Sequence, residues 1–259
     1  IILITLFIIV FYSFLKCSFI RENFKLNSVN TSPLIIPSNI YLTYRNRECI
    51  PSKVFKNFNN FAPKYNVIFY DDNQCLEFLK NNYSSDVVNA YLRLKIKAHK
   101  ADLFRYCILY KRGGIYFDIK TELLQPIDSF INNNYFYTCI CNSKKCIYQG
   151  ILATTKENPV LKSLIDDIVK KSFNKNIPYQ LFIKYFLKIL TERCQSPIRS
   201  GLNKFIELKP FEQDLYLFQE RCSRNSLDCY DGLDWRKMCC YIYDQNRLII
   251  KTRYADYPW

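Results

Sequence analysis

The sequence predicts an α/β domain, and three adjoining observations carry that prediction. Between about Lys95 and Lys111 the apolar residues Leu103, Tyr106, Cys107 and Tyr110 recur at three- and four-residue steps, the period of a helix. Gly113-Gly114 follows, and glycine accepts the left-handed backbone of a helix C-cap without steric cost. Ile115-Tyr116-Phe117 is then a short β-rich run of the kind buried in a central sheet, closed by Asp118.

Taken from the N-terminus, residues 1–20 form an apolar stretch with Thr5 and Ser13 its only non-aromatic polar residues before Leu15, which reads as a signal-anchor. Residues 21–36 are polar and rich in Asn and Ser, as in a short stem, and residues 37–259 form the folded domain. The expected placement is therefore a single-pass membrane protein of the secretory pathway, Golgi or ER, with its domain in the lumen. Past Asp118, Tyr135 to Ile140 and Ile147 to Thr154 read as strands. Asn158 to Val169 reads as a helix opened by Pro159 at its first turn, and Tyr179 to Leu190 as a further apolar helix. Arg247 onward reads as a final strand with an aromatic end.

Composition narrows the chemistry. A chain of 259 residues with 49% hydrophobic content is ample for one core. Its single histidine, His99, reads as structural rather than catalytic, and a histidine-rich zinc site does not fit. The net charge of +14 is spread among acidic and aromatic residues without a zinc finger or aromatic RNA-binding signature, so no nucleic-acid partner is expected. A basic domain does attract anionic nucleotides and anionic lipid headgroups through its long-range field. Twelve cysteines are many for a cytosolic enzyme and read as disulfides, with Cys107 on the apolar helix face the natural unpaired thiol. Asn30-Thr-Ser32 and Asn82-Tyr-Ser84 are sequons compatible with a lumenal chain.

Asp102 and Arg105 lie three residues apart on the expected helix and share a face, either as a local ion pair or as two opposite charges turned into one cavity. Asp118 ends a buried strand, and in open α/β sheets ligands bind outside the carboxyl ends of strands. An acidic residue there can hold a metal ion, a ribose or a sugar hydroxyl.

The run Ala101-Asp-Leu-Phe-Arg-Tyr106, followed by Leu109-Tyr-x-x-Gly-Gly-Ile-Tyr-x-Asp-Ile119, resembles the DXD-containing glycosyltransferases. These include the yeast initiating α-1,6-mannosyltransferase, its relatives in sphingolipid mannosylation and the catalytic domains of clostridial glucosylating toxins. The resemblance spans about Ile36 to Ile127. Asn39 to Tyr44 looks like the family's first strand and Asn66 to Asp72 like its second. It implies a GT-A-like fold, a nucleotide diphosphate sugar donor, a glycan or glycolipid acceptor and hexose transfer, mannose favoured, with retention. It also implies that Asp102 and Arg105 contact the donor sugar or its diphosphate, and that Asp118 is the first acid of the DXD motif. Tyr41, Thr43, Tyr44, Tyr106, Gly113, Gly114 and Gln149 are further donor-binding candidates, with Trp259, beside Arg253 and Tyr254, closing the site.

The second acid of the motif would be residue 120, which is Lys120. A divalent cation, Mn2+ or Mg2+, is the usual device for neutralising the leaving diphosphate. Three readings follow: Lys120 supplies that charge without a metal, Asp118 and Glu122 hold a rebuilt metal site, or the chain is a non-catalytic binding or scaffold relative. Strand alternation would put residues 118, 120 and 122 on one face.

Overall fold

The computed structural model describes residues 35–132, 134–208, 212–223 and 239–253. Strand β1 (Asn39–Thr43) runs parallel to β2 (Asn66–Tyr70) on one side and to β3 (Gly114–Phe117) on the other. Parallel strands need crossover connections, and helices supply them. Helix α1 (Ser52–Phe61) joins β1 to β2, burying Val54 and Phe58 four residues apart. Helices α2 (Asp72–Asn82), α3 (Ser85–Arg93) and α4 (Lys97–Arg112) lead from β2 to β3. An Asp71–Gln74 capping box starts α2, each side chain bonding the other residue's backbone N–H.

Beyond β3 the sheet becomes mixed. Strand β6 (Ile147–Thr154) pairs antiparallel with β3 and with β5 (Phe136–Ile140), and β8 (Leu215–Ser223) lies parallel to β5. Antiparallel pairings then add β9 (Cys239–Asp244), β10 (Arg247–Arg253) and β4 (Thr121–Leu123), while the short β7 (Gly201–Asn203) pairs with β8. The order is β2-β1-β3-β6-β5-β8-β9-β10-β4. Only Asp118, Ile119 and Lys120 separate β3 from β4, a reach of roughly 14 Å, although the two strands stand far apart in that order. The sheet must therefore curl until its β10-β4 edge returns to the carboxyl end of β3. Asn57 of α1 fixes this edge: its amide donates to the Leu123 carbonyl at 2.9 Å and its side-chain oxygen accepts from the Leu123 N–H at 2.8 Å.

Alternation along the strands divides the interior in two. Tyr41 and Tyr116 pack with α4 and with α5 (Pro159–Lys171) and α6 (Leu181–Arg193), whereas Ile40, Leu42, Ile115 and Phe117 pack on the other side with Val54 and Phe58 of α1, Leu123 and Ile250. The helix, the glycine pair and the short strand anticipated around residues 95–117 form as expected, as do the later elements at Phe136–Ile140, Ile147–Thr154, Pro159–Lys171, Leu181–Arg193 and Arg247–Arg253.

One expectation is corrected. Residues 118 to 122 are not a single strand: β3 stops at Phe117, and the Thr121 N–H donates to the Asp118 carbonyl at 2.9 Å, closing a turn through Ile119 and Lys120. Lys120 thus reaches Asp118 from a turn, and Glu122 sits on β4 opposite Lys251 of β10. The expected anchor, residues 1–20, and Tyr254 and Trp259 lie outside the described residues. Among the described residues, no helix is long and apolar enough to cross a membrane.

Among the described residues, Cys141–Cys146 and Cys222–Cys240 are disulfide-bonded, the second directly across β8 and β9. Cys107 is free and buried, as expected from its place on the helix face, and Cys49, Cys75, Cys139 and Cys194 are also free.

Candidate active site

Helix α4 is buried over its middle, and its one-turn spacing presents Asp102 and Arg105 together to the carboxyl end of β3. Arg105 Nη2 lies 3.4 Å from Asp102 Oδ1 and 3.2 Å from Asp118 Oδ1. The rest of the guanidinium is also engaged. Nη1 donates to the Gln149 carbonyl at 2.5 Å, Nε donates to the Ala101 carbonyl at 3.2 Å, and the group stacks 4.5 Å from the Tyr116 ring centre. Asp118 accepts from the Tyr116 hydroxyl at 3.3 Å, donates its N–H to the Gly150 carbonyl at 2.9 Å, and meets Lys120 Nζ at 3.6 Å. The Asp102 and Arg105 side chains are 7% and 6% exposed, Asp118 and Lys120 18% and 12%. Asp118 and Lys120 are therefore the outer members of the cluster.

Electrostatics separates the two carboxylates. Burial drives Asp102 up to about 7, only partly offset by Arg105, and the negative charge of Asp118 adds to the rise. Burial also pushes Asp118 upward, but Arg105 and Lys120 outweigh it and hold Asp118 below its ordinary value. Burial lowers Lys120, against the opposing pull of Asp118 and Glu220. The cluster thus keeps Asp118 charged and leaves Asp102 on the border of ionisation, the kind of divergence found where neighbouring groups have different chemical roles.

Other sequence candidates fall into supporting positions. The Tyr106 hydroxyl donates to Gln149 Oε1 inside the protein, so these two brace the cluster from behind. Thr43 spends its hydroxyl on the Tyr70 carbonyl at 2.9 Å and lies 3.3 Å from Cys75 Sγ. Gly113 and Gly114 stand at the amino end of β3, the opposite end from Asp118. Both have positive φ, and a Cβ on Gly114 would come within 2.8 Å of the Asn39 carbonyl and 3.0 Å of Tyr41. Gly114 packs against the buried Tyr41 there. Tyr44, half-buried just past the carboxyl end of β1, is the aromatic candidate positioned at the ligand edge of the sheet.

Gly150 was not among the sequence candidates. A Cβ there would collide with the Tyr148 ring and approach Asp118 Oδ2 to 2.8 Å. Its place directly after Gln149, in the strand beside the motif, was the available signal.

The residues do not suit a divalent cation. An ammonium and a guanidinium lie within 3.6 Å of the single motif carboxylate, and an incoming dication would face both. Among the described residues, the one group of three metal-ligating side chains within mutual reach is Glu220, Cys222 and Cys240, whose cysteines form the disulfide; neither Asp118 nor Glu122 belongs to it.

A helix thus feeds an Asp and an Arg to an acidic strand end, and the same segment is where the chain is similar to known proteins. Residues 51–137 match the family model described as a glycosyltransferase sugar-binding region containing a DXD motif. Over that stretch, which carries Asp102, Arg105 and Asp118, the chain is similar to glycosyltransferases. Over 215 residues the chain is 24% identical to an uncharacterized glycosyltransferase of Acanthamoeba polyphaga mimivirus, covering 78% of this chain and 85% of that one. It is 35% identical over 106 residues to an initiation-specific alpha-1,6-mannosyltransferase of Candida albicans, 38% of this chain and 28% of the relative. It is 27% identical over 147 residues to inositol phosphoceramide mannosyltransferase 3 of Schizosaccharomyces pombe, 56% of this chain and 40% of the relative. The chain thus spans less than half the length of either yeast mannosyltransferase.

Proposed function

We propose that this protein is a GT-A-like, retaining hexosyltransferase that moves mannose from a nucleotide diphosphate donor to a glycan or glycolipid, without a divalent cation. The observation that carries this reading is the convergence of Asp102, Arg105, Asp118 and Lys120 at the carboxyl end of β3. Mannose is favoured because both yeast relatives are named mannosyltransferases. Asp102 and Asp118 accept hydrogen bonds from donor hydroxyls, and Arg105 fixes both carboxylates. The Lys120 ammonium faces the diphosphate and balances the charge that develops as the bond from the sugar carbon to the phosphate oxygen breaks. The acceptor hydroxyl attacks that carbon from the same face, and its proton passes to the departing phosphate oxygen. The lumen of the secretory pathway, with residues 1–20 as anchor, is the proposed setting; two disulfides suit an oxidising compartment.

A second reading rests on the same ion pairs. Arg105 and Lys120 together satisfy Asp118, so the cluster also fits a non-catalytic subunit that binds a nucleotide sugar. Hydrolysis of GDP-mannose and of UDP-sugars, with Mn2+ and with EDTA, separates the two. We expect turnover with GDP-mannose at the same rate in EDTA. Binding of donor without any turnover would favour the subunit, and turnover abolished by EDTA would refute the metal-free mechanism.

A further inference from the structure

One helical turn before Asp102, the start of α4 opens onto a second site. A groove of about 500 Å³ lies between the α3–α4 junction and the segment joining α5 to α6, lined by Arg93, Lys95, His99, Ser172, Phe173 and Lys175 among others. Its chemistry is one-sided. Among the described residues, three cations line it and no carboxylate does. Lys95 and Lys175 are exposed, and among the described residues neither forms an ion pair. Arg93 is held in place, its Nη2 and Nε donating to Ser172 Oγ at 3.0 and 3.2 Å and its guanidinium stacked 4.0 Å from the Phe173 ring centre. The groove also receives the N-terminus of the 16-residue α4, whose N-cap Ile96 offers no side-chain acceptor and whose first turn has no acidic residue. Backbone N–H groups at such an end favour an anion.

The groove is close to the reaction cluster. His99 lies three residues before Asp102 on the same helical face, about 4.5 Å along the axis. Its Nε2 pairs with the Tyr179 carbonyl at 3.1 Å, and the Tyr179 ring stacks on the imidazole.

We propose that this groove binds a phosphate ester carried by the acceptor, so that its reactive hydroxyl falls beside the donor sugar. The proposal rests on the glycosyltransferase reading for the word acceptor, but not for the anion site itself. An acceptor phosphate held by Arg93, Lys95, Lys175 and the α4 amides would be recognised whether it is soluble or a lipid headgroup.

The test uses the whole chain and a Lys95→Glu/Lys175→Glu double variant, whose positions are exposed and lie outside the catalytic cluster. Inorganic phosphate is titrated calorimetrically with saturating GDP present to cover the donor site. Co-sedimentation is measured with phosphatidylcholine vesicles, plain and doped with phosphatidylinositol. We expect the parent to bind phosphate or the doped vesicles in preference to chloride or plain vesicles, and the variant to bind at least about tenfold more weakly, with GDP-mannose hydrolysis unchanged. Phosphate binding alone would identify a soluble ester and doped-vesicle binding alone a headgroup; either supports the site. A Lys95→Gln/Lys175→Gln variant should fall between. Equal binding by parent and double variant, or no preference by the parent, overturns the proposal. Absence of donor hydrolysis in the parent would instead count against the enzymatic reading, and the phosphate difference would still report on the groove.

Discussion

Lys120 alters the cluster through Asp118. With Arg105 on one oxygen and Lys120 on the other, Asp118 keeps its charge at any ordinary pH, while the more deeply placed Asp102 does not. Because the folded state raises Asp102 from 3.8 to about 7, it holds its proton more tightly than the unfolded chain does. The associated stability is full below pH 4 and is lost as pH rises through 7. Asp118, lowered by folding, acts in the opposite sense and only at more acidic pH. Urea unfolding of the parent and Asp102→Asn from pH 4 to 8 should therefore show the parent losing stability relative to the variant, by at most about 1.4 kcal/mol per pH unit. A flat difference would show that Asp102 is ionised throughout. Gly150→Ala tests the other side of Asp118: the methyl has no room beside Asp118 and Tyr148. We expect a loss of about 1–3 kcal/mol in urea and at least about a tenfold fall in donor hydrolysis from misplacement of Asp118. Wild-type hydrolysis in this variant would mean that the carboxylate position is not critical.

At the level of elements, β4 is a three-residue strand that borrows its stability. It pairs with β10 on one side, and the Asn57 side chain mimics a strand partner at Leu123 on the other. Asn57→Ala should cost about 1–3 kcal/mol and speed amide exchange at Leu123 more than in β1; unchanged exchange there would show that β10 alone holds the edge. The readable elements were those with a strong local pattern, such as α4 with its glycine cap or α5 with Pro159 at its start. Helices α1, α2 and α3 carried weaker marks, the Val54–Phe58 pair and the Asp71–Gln74 capping box, and were not anticipated. The turn at Ile119–Lys120 was hidden because Asp118, Ile119 and Lys120 give no glycine or proline signal. Period-two reasoning therefore ran on past the true strand end.

For the whole molecule, the curl of the sheet does what no segment does alone. It brings the β10-β4 edge back to the end of β3, and it sets Glu220 of β8 close enough to Lys120 to support its charge. The Cys222–Cys240 bridge joins β8 to β9 two residues further along. The sequence by itself determined the α/β class, the helix-glycine-strand unit, the grouping of Asp102 and Arg105 on one face, and the missing second acid at Lys120, because these are local patterns or single identities. Only the tertiary structure decided that Asp118 stands between two cations, that Tyr106 and Gln149 brace the cluster from within, that a side chain at Gly150 would meet Tyr148 and Asp118, and that a basic groove opens one turn away. Each of these depends on contacts between residues distant in sequence, whose geometry is set by sheet register and curl and leaves no local trace.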